Sequence, residues 1–150
     1  MRNSIIIVML LLSAVTLRAQ TAIWEPMNRG LGHTLIYNIA IDPVDSLRML
    51  CGTDAGQIYE SVDGGFNWTC RSDGLPPSTT GWRVIGLYLD PIDRNLLYAG
   101  YSNGPAGKRL FRSTDGGMSW TPLTSPDNWS VFNILRLPLS TPRLVCALGS

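Results

Sequence analysis

Aspartate is the reactive residue that recurs most regularly in this 150-residue sequence. Carboxyl pairs stand at Asp42/Asp45 and Asp90/Asp93, and single carboxylates at Asp54, Asp63 and Asp115. Two carboxyl groups held about 5 to 10 Å apart across a glycosidic bond could hydrolyse it. The pairs recur, however, as Asp-Pro-x-Asp in successive units, and that repetition favours a turn. Proline fixes φ where a type I turn needs it, and the aspartate accepts hydrogen bonds from the amides ahead. Asp54, in Cys51-Gly-Thr-Asp-Ala-Gly56, stands outside those turns. His33 follows Gly-Leu-Gly and reads as a solvated loop histidine. One histidine and three cysteines without a paired-cysteine motif give no support to a zinc site, and no cofactor is expected. Cys51 and Cys146 occupy the repeat position that Ala99 fills elsewhere, which favours small core residues over a disulfide framework.

The elements that must position these groups are phased by Ser61-Val-Asp-Gly-Gly-Phe-Asn-Trp68, which returns 52 residues later as Ser113-Thr-Asp-Gly-Gly-Met-Ser-Trp120. A fixed period marks a repeat architecture. Ser61, Asp63, Gly65 and Trp68, like Ser113, Asp115, Gly117 and Trp120, have structural tasks. Glycine reaches positive φ without a Cβ clash, the carboxylate gathers loop amides, and the indole is buried between sheets. Trp24 matches Trp68 at an offset of 44, so the three tryptophans are one repeat position. Tyr37–Ile41 and Arg48–Gly52 correspond to Val84–Leu89 and Leu96–Gly100, and a third unit starts at Val131. The expectation is an all-β chain of four-stranded antiparallel sheets: blade 1 over about 35–70, blade 2 over about 83–121, and a partial blade 3 over about 131–150. A closing strand, two full blades and half of a third make an incomplete ring, as in the N-terminal part of a longer chain.

The pattern Ser-x-Asp-x-Gly-x-x-Trp resembles the Asp-box of the BNR-repeat β-propellers, a group that includes sialidases, sortilin-type receptors, xyloglucan-degrading glycosidases and photosystem II assembly factors. The resemblance implies propeller blades, with the box as a stabilising turn away from the binding sites. Cys51-Gly-Thr-Asp-Ala-Gly56 is similar to the first-blade segment of the xyloglucan-degrading glycosidases, which implies a catalytic role for Asp54 if the chain is a glycosidase. Sialidases also carry an arginine cluster and a Phe-Arg-Ile-Pro segment before the first box. Here Leu135-Arg-Leu-Pro138 follows both boxes, and a sialidase is disfavoured.

Met1 to Gln20 reads as a signal peptide: Arg2 is followed by the apolar run Ile5–Leu12, with a cut after Ala19 or Gln20. The run is short for a bilayer span, so no stable membrane anchor is expected, and the product is secreted or periplasmic. Residues 21–150 carry ten basic and eleven acidic side chains, with Lys108 the one lysine, and nucleic acid is disfavoured as a partner. In an antiparallel meander the Asp-Pro turns and both boxes share one end of the sheets, and the variable loops share the other. Binding on a rigid scaffold usually lives in variable loops. Asp54, Trp82, Tyr101, Asn103, Lys108 and Trp129 are therefore the binding candidates. Two functions follow: a non-catalytic scaffold for a protein or polysaccharide ligand, or the first part of a glycoside hydrolase in which Asp54 is one of two carboxyl groups.

Overall fold

The computed structural model describes residues 25–76, 81–102, 109–124, 130–137 and 143–149, and they form strands and turns without a helix. Strands β1 (Ile36–Ile41), β2 (Met49–Thr53), β3 (Ile58–Ser61) and β4 (Thr69–Cys70) make one antiparallel sheet in chain order. Strands β5 (Arg83–Leu89), β6 (Leu97–Ser102), β7 (Leu110–Ser113) and β8 (Thr121–Leu123) make a second. Strands β9 (Ser130–Leu137) and β10 (Arg143–Gly149) pair as a third, two-stranded sheet. The all-β expectation of successive four-stranded blades holds.

The sheets stack face to face. Leu50 and Ile58 of the first pack against Val84, Leu89, Leu97, Ala99, Phe111 and Trp120 of the second. Tyr98 continues the stack against Val131 and Ile134 of the third. Glycine sets the spacing at both junctions. A Cβ on Gly52 would lie 2.5 Å from Val84 Cγ1, and one on Gly100 would lie 2.3 Å from the Val131 carbonyl oxygen. Cys51 and Ala99 are fully buried, and Cys146 is half-buried. All three cysteines are free thiols.

The tryptophan position repeats as expected. Trp68 Nε1 donates to the Met27 carbonyl at 3.1 Å, and Trp120 Nε1 to the Arg71 carbonyl at 2.9 Å. Their amides bond the Arg29 and Asp73 carbonyls in the same order. The segment starting at Glu25 thus lies on the first sheet as the segment after β4 lies on the second. Trp24 falls outside the described residues.

In each octapeptide the serine hydroxyl donates to the aspartate and accepts the amide of the second glycine, Gly65 or Gly117, at 2.8 Å. Gly64, Gly65, Gly116 and Gly117 all have positive φ. The Asp-Pro segments are turns as well. Asp42 Oδ1 accepts the amides of Val44 and Asp45, and Asp90 Oδ1 those of Ile92 and Asp93.

Candidate functional site

The two ends of the stack differ in chemistry. At the end of the octapeptides and Asp-Pro turns, arginines bind one sheet to the next. Buried Arg48 bonds Glu60 at 2.9 Å and Asp42 at 3.2 Å, and reaches the carbonyls of Arg94 and Gly116 in the second sheet. Arg94 returns to Asp42 and Asp45, both at 3.1 Å, and Arg136 of β9 pairs with Asp90. Burial alone would push the Asp42 carboxyl up. The Val44 amide, Arg94 and Arg48 outweigh it and hold the group below its ordinary value. Every charge in this set has a partner, so the end is a structural clamp.

The opposite end carries Asp54, in the turn between β2 and β3. The turn forms because Gly56 takes a positive φ and its amide closes onto the Thr53 carbonyl. Asp54 is tied to the residues leading into β1. Its backbone amide donates to the Leu35 carbonyl at 3.0 Å, and its Oδ1 accepts the Thr34 hydroxyl at 2.8 Å and the Leu35 amide at 3.2 Å. The Thr34 hydrogen bond, with the Leu35 amide assisting, holds the carboxyl below the usual aspartate range. Asp54 is half-exposed, its carboxyl group presented on a loop that these bonds hold in place.

The neighbouring sheet braces this loop. Tyr101 Oη donates to the Gly56 carbonyl at 2.7 Å, and its ring meets Trp82 edge-on at 6.2 Å and Phe111 at 5.1 Å. Tyr101 had the residue type of a surface platform, but it is fully buried. The reason is that β6 lies within the stack, with sheets packed on both of its faces, so each residue from Leu97 to Tyr101 is covered. Trp82 is half-buried against Tyr101 beside the Asp54 loop. Asn103, Lys108 and Trp129 lie outside the described residues. Of the six candidates the structure therefore brings together Asp54, Trp82 and Tyr101, the last as support.

Three residues here escaped the sequence reading. Thr34 belongs to no motif, and its role depends on a contact 20 residues away. Tyr37 is 44% exposed beneath the Arg83 guanidinium, which lies 5.2 Å from its ring centroid. Tyr37 sits where the β1–β2 register shifts between Ile36 and Asn38. Equivalent shifts occur in the β5–β6 and β9–β10 pairs, so a bulge on the first strand is a repeated feature. Such bulges re-aim side chains at sheet ends. Among the described residues, no group of three His, Cys, Asp or Glu side chains could hold a metal ion.

No protein-family model matches the chain. It is 27% identical over 105 residues to a xyloglucanase of Hypocrea jecorina (strain QM6a), a match covering 65% of this chain and 12% of the relative. It is 30% identical over 120 residues to a xyloglucanase of Paenibacillus sp, covering 70% of this chain and 11% of the relative. The chain thus spans about an eighth of the length of the curated relatives it matches. Among solved structures, the Niastella koreensis GH74 enzyme superimposes with a TM-score of 0.55 at 30% identity, over 65% of this chain and 15% of that one. A structure of YCF48 bound to D1 peptide superimposes with a TM-score of 0.56 at 20% identity, over 75% of this chain and 34% of that one.

Proposed function

We propose that this chain, a β-propeller segment of the xyloglucanase and photosystem-assembly-factor type, forms part of the glycan cleft of a secreted glycoside hydrolase acting on xyloglucan, with Asp54 as the base. The observation that carries this reading is the placement of Asp54, a half-exposed carboxylate held on Oδ1 by two donors at the variable-loop end. A general base must be unprotonated at working pH, whereas the acid that protonates the leaving oxygen must hold its proton. Asp54, on the ionised side at working pH, is in the state to accept a proton from water and not to donate one. The acid partner belongs to the remainder of the cleft, about 6.5 to 9.5 Å from Asp54 if the reaction inverts configuration. Identity of 27 to 30% to two xyloglucanases across the segment containing Asp54 supports the substrate class. Residues 1–20 as an export signal, and the octapeptides as Asp-boxes of successive blades, accord with it.

Asp54→Asn tests the reading. The variant keeps the size of the side chain and the Thr34 contact but removes the base. Xyloglucan depolymerisation by the complete protein should fall by at least about a hundredfold while its melting temperature stays within a few degrees. Retained turnover would reject the assignment. A non-catalytic scaffold binding protein or polysaccharide is the second reading, favoured by the occurrence of the same fold in YCF48 bound to D1 peptide. Glycan or peptide binding without turnover in the wild type would select it.

A further inference from the structure

We infer that Thr34 is the positioning residue of Asp54, fixing which oxygen of that carboxylate faces the reaction; the inference rests on the reading of Asp54 as the base. Thr34 and Leu35 precede β1, while Asp54 follows β2, and the two strands are antiparallel neighbours. Pairing of Ile36 with Thr53 brings the entry of one strand to the exit of the other. The Thr34 hydroxyl, at 2.8 Å, and the Leu35 amide, at 3.2 Å, both donate to Oδ1. The return bond from the Asp54 amide to the Leu35 carbonyl closes a two-way clamp.

A carboxylate gripped through one oxygen cannot rotate about its side-chain bonds without losing both donors. Among the described residues no side chain bonds Oδ2, which is then the oxygen left to take a proton from water. The amide bond comes with the sheet, but the hydroxyl is a choice of side chain: valine would fill the same space without a donor. Charge-assisted bonds of this kind favour the ionised form. Other titratable or charged groups on the elements meeting here are His33 beside Thr34, Tyr37 on β1, Cys51 on β2, Tyr59 and Glu60 on β3, and Arg83, Tyr88, Tyr98 and Tyr101 on β5 and β6. The acidity of Asp54 is set by hydrogen bonds, Thr34 foremost, and not by an ion pair with any of these.

Thr34→Val and Thr34→Ser separate positioning from packing. In the complete protein, carboxyl-carbon NMR with aspartate-selective labelling should show the Asp54 titration moved to higher pH by Thr34→Val and restored by Thr34→Ser, with Asp54→Asn assigning the resonance. In the complete protein, Thr34→Val should lower kcat on xyloglucan by roughly tenfold, leave KM within about twofold, and move the acid limb of kcat/KM to higher pH, while Thr34→Ser behaves as wild type. Should valine perturb folding, Thr34→Ala provides the same deletion without the branched side chain. An Asp54 titration unmoved by either deletion overturns the proposal. A titration that moves in a protein with no wild-type glycan cleavage keeps Thr34 as the holder of Asp54 and rejects the base assignment instead.

Discussion

Ser61 shows how much one hydroxyl can organise. It is 1% exposed, donates to Asp63 Oδ1 at 2.8 Å, and accepts the Gly65 amide at 2.8 Å and the Asp63 amide at 3.3 Å. Asp63 in turn gathers the amide and side chain of Asn67, which hold its carboxyl down at about 2. Ser61→Ala would strand the Gly65 N–H inside the loop, and a buried donor left without a partner costs about 1 to 3 kcal/mol. Chemical denaturation should show that loss, and Ser113→Ala should repeat it at the second octapeptide, where the same bonds recur. A loss under about half a kcal/mol would mean that water replaces the hydroxyl. These residues were legible in the sequence because their bonds are local, spanning two to four positions. Tyr101 was not. Its type suggested a surface, and only the placement of β6 between two sheets makes it a brace for the Asp54 loop.

At the scale of the element, sheet spacing is decided by glycines on the second strand facing valines on the first strand of the next sheet. Gly52 meets Val84, and Gly100 meets Val131. At Gly100 the nearest atom to an added Cβ is the Val131 backbone oxygen, which cannot swing aside as a side-chain tip could. Gly100→Ala should therefore push the third sheet away from the second. Overpacking of this kind costs about 1 to 3 kcal/mol. A thermal melt should fall by several degrees, with amide exchange in β9 and β10 accelerating more than in β2 and β3. Equal acceleration everywhere would place the strain elsewhere. The strands and the order of the sheets could be read from alternation and period. The first-strand bulges at Tyr37 and its counterparts could not, because a bulge is a property of register between two strands and leaves no mark on the composition of either.

Across the whole molecule, the end opposite Asp54 holds the stack in line through charge. Arg48 joins Asp42 and Glu60 of its own sheet to the Arg94 and Gly116 carbonyls of the next, and Arg94 reaches back to Asp42 and Asp45. Four aspartates of this end, Asp42, Asp63, Asp90 and Asp115, are held below the ordinary aspartate pKa. Backbone amides and arginines overcome burial at Asp42 and Asp90, and loop hydrogen bonds take Asp63 and Asp115 to about 2. A carboxyl depressed on folding contributes stability that is complete above its unfolded value of about 3.9 and is lost as pH falls through the folded value. Unfolding free energy should therefore be level near neutrality and decline between about pH 4 and pH 2. Arg48→Met ties that decline to the clamp. Methionine keeps much of the arginine stem's packing but leaves Asp42 and Glu60 short of a cation, and breaking a buried pair from one side costs about 3 to 5 kcal/mol. The deficit should be largest at pH 7 and shrink as the carboxylates left behind take up protons. Urea unfolding of wild type and variant at pH 7 and pH 3 measures it, and a deficit equal at both values would mean that Arg48 acts through packing and its carbonyl contacts, with its charge incidental to how the sheets are held.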